Sequence, residues 1–265
     1  MEREAPCPFY RYLNHAHQNR PHQTRFETNV NQSTDTRPVL VMLSGHMCSE
    51  ALWQKQIDHF SGRYRCMPMV FRQGDSIANF AEQVLQLAPA KFYLAGLSMG
   101  GYVAFEVMRR APDRVIRLAL LDTSAEPENP DRTVQRKTDL KAAHENGLPS
   151  LADQMPARWM HPDMVAQPAL FKTVRDMVLN VGIEALPRQQ RAIIERENSF
   201  DGLKNIQCPT LVLCGRQDTS TPLSMHEDIV KHIPHAKLVI VEHCGHLSTM
   251  EQPDSVNQAM DAWLK

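Results

Sequence analysis

The sequence predicts an α/β fold: a doubly wound, mostly parallel sheet interrupted by a helical insertion. Two observations carry that prediction. From Pro38 onward the short runs "PVLVML", "RCMPMV", "KFYLAG", "RLALLD", "PTLVLCG" and "AKLVIVE" are continuously apolar and rich in leucine and β-branched residues. Strands buried on both faces, as in a parallel sheet, have this texture. Between the runs lie helical patterns, and strand–helix alternation implies right-handed crossovers onto one sheet.

The helices come in order along the chain. In "SEALWQKQIDHF", residues 49–60, Leu52, Trp53, Ile57 and Phe60 share a face behind Ser49 as cap. In "SIANFAEQVLQL", residues 76–87, Ile77, Phe80, Ala81, Val84 and Leu85 do the same behind Ser76. "TPLSMHEDIVKHI" offers Thr221 as cap, Pro222 at the first helical position, and Met225, Ile229 and Ile233 at intervals of four. A last helix from about Pro253 buries Val256, Met260 and Trp263. Residues 125–205 break the alternation, with helical patterns such as "ALFKTVRDMVLNVGI" and "LPRQQRAIIER" and no convincing strand. This segment is expected to lie as a cap over the C-terminal edge of the strands, where open α/β sheets bind ligands. The core is then 38–124 with 206–265. Residues 1–37 form a polar extension in which "TRFETNV" could be an edge strand and the pair His15 and His17 reads as incidental.

Composition narrows the function classes. The 29 Lys and Arg nearly balance the 30 Asp and Glu, with no basic or acidic block, so neither nucleic acid nor an anionic membrane is an expected partner. Apolar runs are strand-sized, and the N-terminus has no signal-like apolar stretch; a cytoplasmic protein is expected. The six cysteines form no CxxC pair and read as free thiols.

Chemistry concentrates at Gly96-Leu97-Ser98-Met99-Gly100, a G-x-S-x-G between the strand "KFYLAG" and the helix "MGGYVAFEVMRR". That setting suits a nucleophile lifted on a strained turn, with glycines where strand and helix come too close for a Cβ. A serine nucleophile needs a base, and the base an orienting acid. Asp218 comes after the next-to-last apolar run and His246 after the last, in the order serine, acid, histidine. Asp122, ending "RLALLD", is a second candidate acid, read as structural; His243 competes with His246 and is read as a loop residue. Two amide donors must hold the oxyanion, each worth roughly 3 kcal/mol of barrier. Met99 N–H is one candidate, and His46 N–H, in "VLVMLSGHMCSEALW", the other. Cys48 lies nearby without an ordered base and reads as a loop thiol.

Those residues, together with "LAGLSMGGYVAFEVMRRAPDRVIRLALLDTSAEP", "RQQRAI" and "EHCGHLSTMEQPDSVNQAM", resemble the α/β-hydrolase superfamily, in particular small bacterial esterase-like hydrolases with helical caps. The resemblance runs from residue 38 to the C-terminus. It implies an eight-stranded sheet, Ser98 as nucleophile, Asp218 as acid, His246 as base, and the backbones of His46 and Met99 as oxyanion donors. It departs at the oxyanion loop, where Ser44-Gly45 replaces the usual His-Gly, and at "VFRQGDS". The expected activity is hydrolysis of a small carboxylic ester, without metal or organic cofactor, by a monomer or homodimer. C–C hydrolase, lactonase, aminopeptidase and non-catalytic receptor are the alternatives. Trp159, Met160, His161, Met164 and Phe171 are candidates for an apolar acyl pocket.

Overall fold

The computed structural model describes residues 35–265; the histidines at 15 and 17 and the stretch "TRFETNV" lie outside them. Each apolar run becomes a strand: β1 (Val39–Leu43), β2 (Arg65–Met69), β3 (Phe92–Leu97), β4 (Val115–Leu121), β5 (Thr210–Gly215) and β6 (Ala236–Val241). All pair in parallel, in the order β2-β1-β3-β4-β5-β6. The doubly wound parallel architecture is therefore as expected. The sheet has six strands among the described residues, rather than eight: each comes from one of the six apolar runs, and only the family resemblance implied the other two.

Helices α1 (Gln54–Phe60), α2 (Ile77–Leu87) and α3 (Met99–Arg110) connect the first four strands. Between β4 and β5 come α4 (Pro130–Asn146), α5 (Leu148–Ala152), α6 (Met155–Trp159), α7 (Pro162–Val165), α8 (Pro168–Val181), α9 (Ala185–Ile194) and α10 (Phe200–Leu203). After them α11 (Leu223–His232) joins β5 to β6, and α12 (Ser248–Glu251) and α13 (Pro253–Leu264) end the chain. Ser76 caps α2 by accepting from Asn79 N–H at 3.1 Å. Ser49 caps a 3-10 turn, Glu50–Trp53, that precedes α1.

Period-two alternation sorts the strands' side chains onto two cores. Val39, Val41 and Leu43 of β1 face Phe80, Val84, Val103 and Ile229 from α2, α3 and α11. Leu40 and Met42 face the other way, toward Trp53, Phe60, Met260 and Trp263. A third core joins Met47, in the loop after β1, to Leu151, Met155, Val178 and Leu186 of the helical block.

Parallel strands put every C-terminal end on one edge. The strand order reverses at β1, which lies between β2 and β3, and the loops after β1 and β3 flank that reversal. A crevice outside the strand ends at such a point is the usual ligand site of an open α/β sheet. The approach there is close enough to exclude side chains: a Cβ on Gly100 would lie 2.1 Å from Leu43 O, and one on Gly96 2.4 Å from Gly100 O. Gly100→Ala is expected to lower the unfolding free energy by about 2 kcal/mol or more, since the clash is with backbone; the urea midpoint at constant slope measures it.

Candidate active site

Ser98 sits between β3 and α3 with φ 55° and ψ −117°, a left-handed backbone that a residue with a Cβ adopts only under constraint. Its N–H donates to Leu121 O at 3.0 Å. Its carbonyl accepts from Gly101 N–H and from Thr123 Oγ1, both at 2.8 Å. Thr123 is fixed in turn by His226, whose Nε2 accepts Thr123 N–H at 2.9 Å, while Nδ1 lies 3.3 Å from Pro222 O. That pattern requires the neutral ring with its proton on Nδ1, and burial pushes the His226 pKa down to about 4.

The loops after β5 and β6 bring Asp218 and His246 to Ser98. His246 Nε2 is 2.9 Å from Ser98 Oγ, and Nδ1 is 2.7 Å from Asp218 Oδ2. Because the carboxylate only accepts, Nδ1 carries the proton and Nε2 is left to take one from the serine. Asp218 Oδ1 accepts Ser220 N–H at 2.7 Å and Thr221 N–H at 2.9 Å, and Oδ2 also accepts the Thr221 hydroxyl at 2.7 Å. Burial opposes charge on both partners of the pair. Their mutual attraction and hydrogen bonds outweigh it, so His246 lies above the ordinary histidine range and Asp218 below the ordinary carboxylate range. Thr221, expected as a helix cap, spends its hydroxyl on the acid instead; Pro222 stands at the N-cap of α11.

Asp122 is buried at the end of β4, where it accepts Gly215 N–H at 3.0 Å and Ser248 N–H at 3.2 Å. Burial, then the charge of Asp218, raises its pKa well above the carboxylate range. It ties together the loops that carry the other two residues. His243 is exposed with φ 51° and faces His161. Cys48 is buried, and burial pushes its thiol up to about 12, so it stays protonated. The described cysteines are all free thiols.

Gly45 packs against Ser98: a Cβ there would be 3.3 Å from Ser98 Cβ. This contact brings the His46 peptide to the serine, while Met99 N–H opens the first turn of α3, where amides have no intrahelical acceptor. The His46 ring lies in the cavity wall with Nε2 buried and unpartnered among the described residues. Burial, then the nearby Arg136, holds this ring neutral.

The cavity at Ser98 has a volume of about 150 Å³. Of the five residues expected to line it, only Trp159 does. Met160 turns into the core beneath the sheet, Met164 packs at its margin, and Phe171 lies half-buried on α8. His161 turns toward Asp163 and His243 instead of the cavity; these three bring possible ligand atoms within 4.8 Å of one another. The wall that faces Ser98 is instead polar, made by Arg132, Gln135, Arg136 and Asp139 of α4.

Two positioning residues escaped the sequence reading. Gln189, fully buried on α9, accepts Met47 N–H at 2.8 Å and donates to Phe71 O at 2.7 Å, clamping the His46 loop. Glu251 accepts His161 N–H at 2.7 Å, Gly245 N–H at 3.0 Å and Leu247 N–H at 2.9 Å, clamping the His246 loop. A glutamine in "RQQRAI" and a glutamate in "TMEQP" carry no local signal of either role.

The profile of the alpha/beta hydrolase family matches residues 40–259. The chain belongs to that family. Among its relatives is the (E)-2-((N-methylformamido)methylene)succinate hydrolase of Acinetobacter baylyi, 28% identical over 245 residues that cover 85% of this chain and 90% of the relative. The carboxylesterase YbfK of Bacillus subtilis is 27% identical over 248 residues, 86% of this chain and 80% of the relative. A thermophilic esterase from Thermogutta terrifontis, solved with malate bound, superposes with a TM-score of 0.77 at 29% identity, covering 86% of this chain and 89% of that one. Among the described residues no helix of this family member is long and apolar enough to cross a membrane.

Replacing Gln189 by Leu leaves two buried backbone groups unpaired. It is expected to cost about 1–3 kcal/mol of stability, measured by urea unfolding.

Proposed function

We propose that the protein is a serine hydrolase cleaving a small carboxylic ester or related acyl bond. The observation that carries this reading is the unbroken hydrogen-bonded chain from Ser98 Oγ through His246 to Asp218, at 2.9 and 2.7 Å. Ser98 Oγ attacks the acyl carbon as its proton passes to His246 Nε2. Asp218 keeps the second ring proton on Nδ1 and stabilises the imidazolium. The developing oxyanion is held by the N–H groups of His46 and Met99, aided by the dipole of α3. The imidazolium protonates the leaving alcohol. Water then attacks the acyl-enzyme with His246 as base, releasing the acid and restoring Ser98. In this reading the helices between β4 and β5 are a cap that closes the site from above.

The cavity suits a small acyl group. Its space of about 150 Å³, open on one side, is enough for a ring or short chain of a few heavy atoms beside Ser98. The names of the relatives, a carboxylesterase and a hydrolase of a succinate derivative, support an acyl substrate of that scale.

Hydrolysis of p-nitrophenyl acetate tests the reading. Ser98→Ala is expected to reduce kcat by at least about a thousandfold and to abolish labelling by a fluorophosphonate. Labelling retained in Ser98→Ala, or neither labelling nor turnover in the wild type, would refute it. A vinylogous diketone cleaved faster than any simple ester would move the activity to C–C bonds.

The base works only when neutral, so kcat/KM should fall on the acid side. With the His246 pKa raised, the midpoint is expected above the ordinary histidine value of about 6.5. In Asp218→Asn the charge that raises it is gone, and any residual activity should show a midpoint at lower pH.

A further inference from the structure

Resting on the hydrolase reading, we infer that the acyl substrate carries a carboxylate, held by Arg132 together with Arg136 and the ring of His46. All three lie in the wall of the cavity that contains Ser98. An uncharged acyl chain would leave guanidinium groups facing apolar atoms, whereas a carboxylate matches their planar donor edge.

The charges around this wall do not cancel internally. Asp139 is occupied on both oxygens by Arg158, at 2.8 and 2.9 Å. Glu128, almost fully buried, is shared between Arg136, at 3.3 Å, and Arg196. Four guanidinium groups thus stand against two carboxylates. Arg136 and Arg196 share a single carboxylate, and the one with no carboxylate partner is Arg132, which among the described residues donates only to the carbonyl of Ser220. It is half-buried at the mouth of the acid loop, so its charge is less hydrated than that of a surface arginine.

His46 supplies the second observation. Its Nε2 is buried and lacks a partner among the described residues. A ring held neutral can carry its proton on that nitrogen, and although Nε2 is closed off from the cavity as the ring stands, a turn of the ring would bring the N–H to an anionic oxygen and satisfy both groups. Because Arg158 already takes up the charge of Asp139, the one guanidinium here without a carboxylate partner is that of Arg132, which matches a single negative charge, a carboxylate rather than a phosphate dianion. With the small cavity, this describes a monoester or comparable acyl derivative of a short dicarboxylic acid.

Two esters of similar length separate this from a purely structural role for Arg132 as a tie to the acid loop. Monomethyl glutarate and methyl valerate are compared in a pH-stat, with wild type, Arg132→Gln and Arg136→Gln. The wild type is expected to prefer the charged ester by roughly tenfold or more in kcat/KM, as one charge-assisted hydrogen bond implies. That ratio should collapse in Arg132→Gln and shrink in Arg136→Gln. A wild-type ratio of one or less, or a ratio that neither variant moves, overturns the inference; a structural role would slow both esters equally. If neither ester turns over, calorimetry decides instead. Glutarate binding to the wild type that Arg132→Gln abolishes sustains the carboxylate site; absence of binding, or binding of inorganic phosphate alone, overturns it. Fluorophosphonate labelling of Ser98 reports separately on the hydrolase reading, so the two failures are distinguishable.

Discussion

The site rests on holding one residue, Ser98, in a backbone conformation it would not choose. Such a conformation costs on the order of 1–3 kcal/mol, and the neighbouring strand offsets the cost. Leu121 and Thr123, flanking the end of β4, bond to Ser98 on either side of its strained φ. Thr123 depends on a histidine kept neutral by burial, and that histidine on the carbonyl of Pro222. The support for the serine therefore runs through the loop after β5, the same loop that supplies Asp218. Sterics complete the constraint, because the helix bearing the serine reaches β1 only where no Cβ intervenes.

Three buried carboxylates surround the histidine loop, and their partners give them different work. Asp218 meets an imidazole, a hydroxyl and two amides, enough to keep it ionised despite burial. Asp122 meets only two amides, and burial, then the like charge of Asp218, raises its pKa. Glu251 gathers three amides, and burial raises its pKa as well. Donor count and neighbouring charge, more than depth, separate the aspartate that orients the ring from the two carboxylates that hold loops together.

Much of this was legible in the chain. Six apolar runs became six strands, because burial on both faces leaves a continuous signature. Ser98, Asp218 and His246 were singled out because each comes just after a strand, and parallel strands deliver their outgoing loops to one edge, where the three side chains meet. The two strand-end aspartates both fall between Ser98 and His246, so chain order leaves them unranked and only family likeness favoured Asp218; their difference lies in which groups reach them. Legibility failed where contacts cross between elements. Arg132 and Arg136 belong to "DRTVQRKTDLKAAHEN", a polar stretch with no local signal of a site, and only the packing of α4 over the strand ends turns part of it inward. Met160 and Met164 have the apolar character of a pocket but face a core. Thr221 carries the signature of a helix cap, and a nearby carboxylate claims its hydroxyl. The eight strands implied by likeness to a family, rather than by any run in this sequence, came to six among the described residues.

The bonds around Glu251 also have a mechanical meaning. Trp159 O accepts the backbone N–H of His246 at 2.6 Å, and Glu251 holds His161 and Gly245 through the same carboxylate oxygen. A Cβ on Gly245 would strike Trp159 O at 2.6 Å, so the two segments touch backbone to backbone. Residues 159–161 and the loop bearing the imidazole are therefore bound to each other as one piece. The position of His246 relative to Ser98 is thus fixed in part by this end of the helical block. At its other end the block is tied as well, by Arg132 of α4 to the carbonyl of Ser220 beside Asp218, so the helices between β4 and β5 brace both loops that meet at Ser98.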